Sequence, residues 1–232
     1  MGNYKSDGML SVSELRHFAL IMAYIVDQKS PFTAKHSEKV GTLARHIAEL
    51  FGLFKEQCTK IEIAGFLHDI GKLRMPDEIL EKPGALTDID RAIMNQHSYE
   101  TYEILRHIDG LDDIAYWAAY HHEGLNGSGY PFHPNSKELS VESRILAISD
   151  VFQACVQDRP YRDGMPLNEV IDILNKLAKK GKLDKSIVEL VQENDQSCFD
   201  VAKGYENENN DKKLKHINVL DEFEFKFGNI QS

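Results

Sequence analysis

The chain has 232 residues, 42% of them hydrophobic and 28% charged, which suffices for one large domain or two small ones with a real core. A formal net charge of −10 excludes DNA or RNA as an expected partner, because nucleic-acid affinity needs a basic face; a small anion held by local positive charge and metal stays open. Cys58, Cys155 and Cys198 lie far apart without a metal-type pair, which argues against a disulfide framework and for a reducing, cytoplasmic setting.

Taken in chain order, the first predicted helix covers 11–28 and opens on the capping box Ser11-x-x-Glu14. Its apolar run, Phe18 to Val26, is too short to span a bilayer. Flanking charges and the lack of a small-residue cleavage pattern also exclude a signal peptide, so no membrane segment is expected. A second helix, 35–52, repeats Val40, Leu43, Ala44, Ile47, Ala48 and Phe51 at helical spacing, with His36 one turn ahead on the same face. The third, 56–69, aligns Ile61, Ala64 and His68, with Asp69 one step round.

A loop from Lys72 to Leu86 follows, marked by Pro76, Pro83 and Gly84. The next helix, 88–107, carries an inward row of Ile89, Ile93, His97, Thr101, Ile104 and Ile108. Helix 111–122 aligns Leu111, Ile114, Ala118 and His121, with His122 beside it, and ends in a Gly- and Pro-rich loop from Gly124 to Pro134. Helix 141–157 carries Leu146, Ala147, Asp150 and Ala154, and helices 166–180 and 184–195 complete the set.

Alternating strand patterns are nearly absent before the tail, so the expected fold class is all-α, a bundle of about seven to eight helices. Tyr205 to Lys215 is strongly polar and reads as a linker. Beyond it, Ile217 to Phe227 alternates Phe223, Phe225 and Phe227 with charged residues. A short β segment is expected there, able to dock a protein partner or a second copy in a homodimer; a frayed terminus is the alternative. The predicted division is an N-terminal helix at 1–29, a main domain at 30–200 and a tail at 201–232.

Five histidines and two aspartates stand on these apolar rows: His36, His68, Asp69, His97, His121, His122 and Asp150. An ionisable group aimed into a core is costly unless paired or bound to metal. One inward histidine is commonly a hydrogen-bonded core residue, but the same coincidence on five helices points to a metal cluster and hence to a hydrolase. His17, His46, His107, His133 and His216 show no such pattern and are assigned structural or surface roles.

The string Leu-His-Asp-Ile-Gly-Lys around His68 and Asp69, then His121-His122-Glu123, then Asn126-Gly127-Ser128-Gly129-Tyr130-Pro131, resembles the HD-GYP family, a branch of the HD-domain metal phosphohydrolases. The resemblance covers roughly 30–195 and implies an HD-domain helical bundle around a metal site. It implies hydrolysis of cyclic di-GMP, or a related cyclic dinucleotide, by metal-activated hydroxide. By that resemblance one ion takes His36, His68, Asp69 and Asp150, and a second takes Asp69, His97, His121 and His122, with Asp69 bridging.

The cofactors implied are two divalent transition metal ions, iron or manganese, although residue type alone also suits zinc or nickel. Lys72 matches the lysine of the family that contacts the scissile phosphate. Gly129, Tyr130, Arg159 and Arg162 match positions that contact the cyclic dinucleotide, where an arginine fork grips phosphate or guanine edges. Members with three metals carry a glutamate one turn before the first histidine; Phe32 stands there, which predicts two ions. Ser30 and the stretch Ser98 to Thr101 also depart from the usual pattern. The alternatives are a module that binds a cyclic dinucleotide with little or no turnover, and an HD phosphohydrolase acting on another nucleotide.

Overall fold

A computed structural model describes residues 10–29, 35–158 and 163–205. Among these the chain is all-helical, with no strand: α1 Val12–Lys29, α2 His36–Phe51, α3 Lys55–Leu67, a 3₁₀ turn Ile70–Arg74, α4 Asp77–Leu80, α5 Asp88–Met94, α6 Gln96–Leu105, α7 Asp112–Ala119, α8 Val141–Val156, α9 Leu167–Lys179, α10 Lys185–Glu193 and α11 Asp195–Lys203. Among the described residues no helix is long and apolar enough to cross a membrane. The tail with its expected β segment lies outside the described residues, as do Ser30, Phe32, Arg159 and Arg162.

The centre of the bundle is an antiparallel hairpin of α2 and α3. Gly52 ends α2 in the left-handed region (φ 91°), where glycine meets no Cβ clash, and the chain reverses into α3 within three residues. The two helices touch backbone to backbone where Gly41 faces Gly65: a Cβ on Gly65 would meet the Gly41 Cα at 2.4 Å. This close crossing brings His36, at the start of α2, and His68, just past the end of α3, to the same end of the hairpin. Leu43, Ile47, Ile61, Ile63, Phe66, Ile145, Ile148 and Phe152 fill the core behind them, all at most 1% exposed.

Helix α1 packs on α3 and contributes Ala19, Ala23 and Val26 to that core. Buried Glu62 ties three helices together: it receives two bonds from Arg16 of α1 (2.8 and 2.6 Å) and one from Arg45 of α2 (3.0 Å).

The predicted helix 88–107 is two helices, α5 and α6, meeting at Asn95. The expected apolar row fails at both ends: Ile89, on the separate helix α5, is 74% exposed, and Ile108, beyond the end of α6, is 45% exposed, with Leu105 the buried residue instead. Phe51, the last residue of the α2 row, is also exposed. The helix expected to run on through 122 stops at Ala119, so His121 and His122 sit just beyond its end. Three elements are additional to those expected, the 3₁₀ turn Ile70–Arg74, the single turn α4 and the terminal α11, which packs on α2. All are short, and packing rather than propensity holds them.

Candidate metal centre

All seven predicted side chains converge. Six of them are buried, between 1% and 9% exposed, and His122 is partly exposed. Their ring centroids lie 5.5 Å apart for His36 and His68, 4.8 Å for His68 and His121, and 5.4 Å for His97 and His121.

Helix ends place the rings. The last carbonyls of a helix lack an intrahelical donor. At three ends a histidine ring nitrogen Nδ1 supplies one, always from three residues ahead: His68 to Gly65 O at 2.7 Å, His97 to Met94 O at 2.7 Å, and His121 to Ala118 O at 2.6 Å. A carbonyl only accepts, so Nδ1 carries the proton and the Nε2 lone pair is directed into the cluster. That second contact is the device by which metal-binding histidines are oriented. His36 is held likewise by Gln157, Nδ1 to Oε1 at 3.0 Å.

The two carboxylates lie between the rings. Asp69 turns Oδ1 to His97 Nε2 (3.3 Å) and Oδ2 to His68 Nε2 (3.3 Å). Asp150 faces His36 Nε2 at 3.2 Å, His68 Nε2 at 3.9 Å and His122 Nδ1 at 3.8 Å. Most of these separations are too long for strong hydrogen bonds. The three shorter ones, 3.2–3.3 Å, suit pairs of donors sharing a cation at about 2.1 Å, whose mutual spacing is roughly 3.0–3.4 Å.

Three overlapping trios have donor atoms within 4.8 Å of one another: His36, His68 and Asp150; His68, Asp69 and His121; His97, His121 and His122. Nitrogen and oxygen donors in this number, with inward lone pairs, fit a divalent transition ion. The cluster is therefore able to hold metal.

Its electrostatics favour a cation. Burial pushes His97 down to about 3 and lowers His121 and His122 too, so these rings are neutral donors. Burial raises the Asp69 and Asp150 carboxyls, but Lys72 and His68 around the first, and the His36 bond and His122 around the second, outweigh it; both are held below the usual range and ionised. His68 moves the other way, up to about 9: burial opposes its charge, but Asp69 and Asp150 prevail, so without a cation Nε2 holds a proton, which a metal ion bound there would have to displace.

Lys72 reaches the same centre, Nζ to Asp69 Oδ2 at 2.5 Å. Tyr130 covers one side, its ring 4.8 Å from that of His122 and 6.3 Å from that of His97, and burial raises its phenol so that it stays protonated. Gly129 runs against the backbone of His122 and Glu123, where a Cβ would meet the Glu123 Cα at 2.3 Å. Arg159 and Arg162 fall outside the described residues, so their placement is not part of this geometry.

Several supporting residues were given no role from the sequence. Thr101 accepts from the Gly71 amide (3.0 Å) and donates to the His68 carbonyl (2.9 Å), which locks the HD segment onto α6. Gln157 orients His36, and Glu123 anchors the loop after the histidine pair through two backbone amides. The available hint for Thr101 was its spacing one turn after His97; for Glu123 it was its place beside the histidine pair.

Comparison with known proteins agrees with this geometry. The family model of the HD domain matches residues 21–187. The 3'3'-cGAMP-specific phosphodiesterase 1 of Vibrio cholerae is 40% identical over 193 residues, covering 83% of this chain and 45% of that protein. A cyclic di-GMP phosphodiesterase of Thermotoga maritima is 38% identical over 162 residues, covering 69% of this chain and 44% of that protein. The chain thus spans less than half the length of these relatives. The HD domain of the L. monocytogenes phosphodiesterase PgpH, solved with cyclic-di-AMP, shares the fold at a TM-score of 0.58 and 19% identity, over 81% of this chain and 96% of that one. The chain belongs to the HD domain family, in its HD-GYP branch.

Proposed function

We propose that this domain is a metal-dependent phosphodiesterase that hydrolyses cyclic di-GMP or a related cyclic dinucleotide, in the cytoplasm. The observation that carries the reading is Asp69, whose two oxygens face different histidines at 3.3 Å on each side. It divides the donors into two sets, His36, His68 and Asp150 against His97, His121 and His122, with Asp69 shared. Two divalent ions fit that division, iron or manganese by resemblance to the family. Bound there, such ions supply Lewis acidity to phosphate oxygens and acidify a water at neutral pH.

The protein's own groups would do the rest. Lys72 holds its ammonium beside Asp69, where it can meet a phosphate oxygen and offset charge that develops on the diester. Tyr130 keeps its phenolic proton and can donate it to a phosphate or sugar oxygen. Gly129 keeps the loop low against His122, so that the ligand can approach the histidines. Arg159 and Arg162 are assigned to phosphate or base contacts from their motif alone. The relatives named for cyclic di-GMP and for 3'3'-cGAMP both act on guanine-containing rings, which supports that substrate class. The main domain is assigned to 30–200, and the tail to contact with a protein partner or a second copy.

The test is direct. Purified protein loaded with manganese or iron should convert cyclic di-GMP or 3'3'-cGAMP to linear product, and the double variant His68→Ala, Asp69→Ala should not. Turnover that survives in the double variant would falsify the assignment. Tight binding of the cyclic dinucleotide without product would favour a signalling module instead.

A further inference from the structure

The histidine pair is followed by Glu123, whose carboxylate lies in none of the three donor trios. It is 5% exposed, and Oε1 accepts the backbone amides of Phe132 at 2.6 Å and His133 at 3.1 Å. These amides stand two and three residues beyond Tyr130. At its near end the same loop rests on Glu123, because Gly129 packs against the Glu123 Cα too closely for any side chain. Phe132 is also stacked flat on Tyr120, ring centroids 4.6 Å apart at 8°. The segment 129–133 is therefore closed around one residue: backbone contact before Tyr130, charged hydrogen bonds after it.

Glu123 Oε2 has no hydrogen-bond partner, which makes the residue costly to bury. Nothing in packing a loop requires a carboxylate there. A charged acceptor does grip amides more strongly than a neutral one.

We propose that Glu123 is a positioning residue: it clamps the loop through the Phe132 and His133 amides and so sets Tyr130 over the metal donors. The clamp itself is independent of the reaction, whereas its effect on substrate rests on the phosphodiesterase reading of Tyr130. Glu123→Ala removes the acceptor, Glu123→Asp withdraws it by one methylene, and Glu123→Gln keeps an oxygen at the same reach.

The experiment measures two things on the metal-loaded protein: amide hydrogen exchange at 129–133, and the KM and kcat for cyclic di-GMP or 3'3'-cGAMP. Glu123→Ala and Glu123→Asp should speed exchange at Phe132 and His133 by about tenfold or more, because protection there reports the cost of local opening. KM should rise about tenfold while metal content holds, the pattern of a lost binding contact rather than a lost catalytic one. Glu123→Gln, with the reach but not the charge, should fall between Glu123→Asp and wild type in both. Should Glu123→Ala fail to fold, Glu123→Asp carries the same comparison.

Unchanged exchange in Glu123→Asp overturns the clamp, as does a Glu123→Gln protein no better than Glu123→Asp. Raised exchange with unaltered KM overturns the link to Tyr130. If wild-type protein turns over no cyclic dinucleotide, the exchange result still decides the clamp, and only the functional reading fails.

Discussion

Gly71 offers a sharp test of how the centre is assembled. It sits two residues after Asp69, in the 3₁₀ turn, against α6. A Cβ placed there would meet the His97 carbonyl oxygen at 2.0 Å and the Thr101 amide nitrogen at 2.6 Å. Both neighbours are backbone, so no side chain can swing away. Ordinary contact begins at 3.4 Å, so Gly71→Ala must part the two backbones by about 1.4 Å, the difference between 3.4 and 2.0 Å.

That movement separates Asp69 from His97, now 3.3 Å apart. It also strains the bonds from Thr101 to Gly71 and to His68. Overpacking of this kind costs about 1–3 kcal/mol of stability, which a domain of this size tolerates. Metal coordination is less forgiving, since ligand distances hold to within about 0.2 Å.

The expected outcome is a folded protein by circular dichroism, with transition-metal content cut by about half or more and turnover down about a hundredfold, as for a reacting group displaced by about 1 Å. Metal analysis after anaerobic loading, beside titration of manganese into stripped protein, measures it. A Gly71→Ala protein with full metal content and wild-type affinity would refute the claim that α6 and the HD segment must meet at this distance.

Three further outcomes follow from the same geometry. Glu62→Ala leaves Arg16 without its carboxylate and Arg45 with Glu49 alone, the two arginines being about a quarter to a third exposed; stability should fall by about 3 kcal/mol in urea unfolding with an unchanged slope. A loss under about 1 kcal/mol would mean that the triad behaves as a surface ion pair. Asp184 caps α10 through the Ser186 and Ile187 amides and pairs with Arg144 at 3.0 Å. Its alanine variant should lose about 1–2 kcal/mol at neutral pH.

Burial pushes the Asp184 carboxyl up, but the Ser186 and Arg144 bonds outweigh it and hold it below its ordinary value. Its contribution is therefore present above the unfolded carboxylate range and lost as pH falls through the lower folded value, so wild type and Asp184→Ala should converge in strong acid. A gap that persists there would contradict the sign. Lys72→Met, finally, should keep metal yet lower kcat/KM for the cyclic dinucleotide about a hundredfold, a loss typical of one preorganised charge contact. Metal released in proportion to activity would assign Lys72 to holding Asp69 instead.

The clustering of the candidate residues was legible because burying a histidine or aspartate is expensive, and helical spacing shows which faces are buried. His36, His68, His97, His121 and Asp150 could thus be found one helix at a time. Element boundaries were less visible: nothing in the row from Ile89 to Ile108 announces a break at Asn95, since the apolar spacing continues across it. The missing signal is the donor that His97 Nδ1 gives to Met94 O, a bond that exists only once the break has formed. Thr101, Gln157 and Glu123 were invisible as supporting groups for the same reason, because each acts on a partner far along the chain or around a loop.

The order of residues by itself determined a helical bundle with costly polar groups on its inward faces, because hydrophobic period and burial cost are local properties. Tertiary structure alone decided how those groups share space. The glycine contact between α2 and α3, the Gly71 seat on α6 and the loop folded over Glu123 bring side chains from distant segments within 3–4 Å of each other. Such distances depend on where backbones can touch, and a linear pattern carries no record of that.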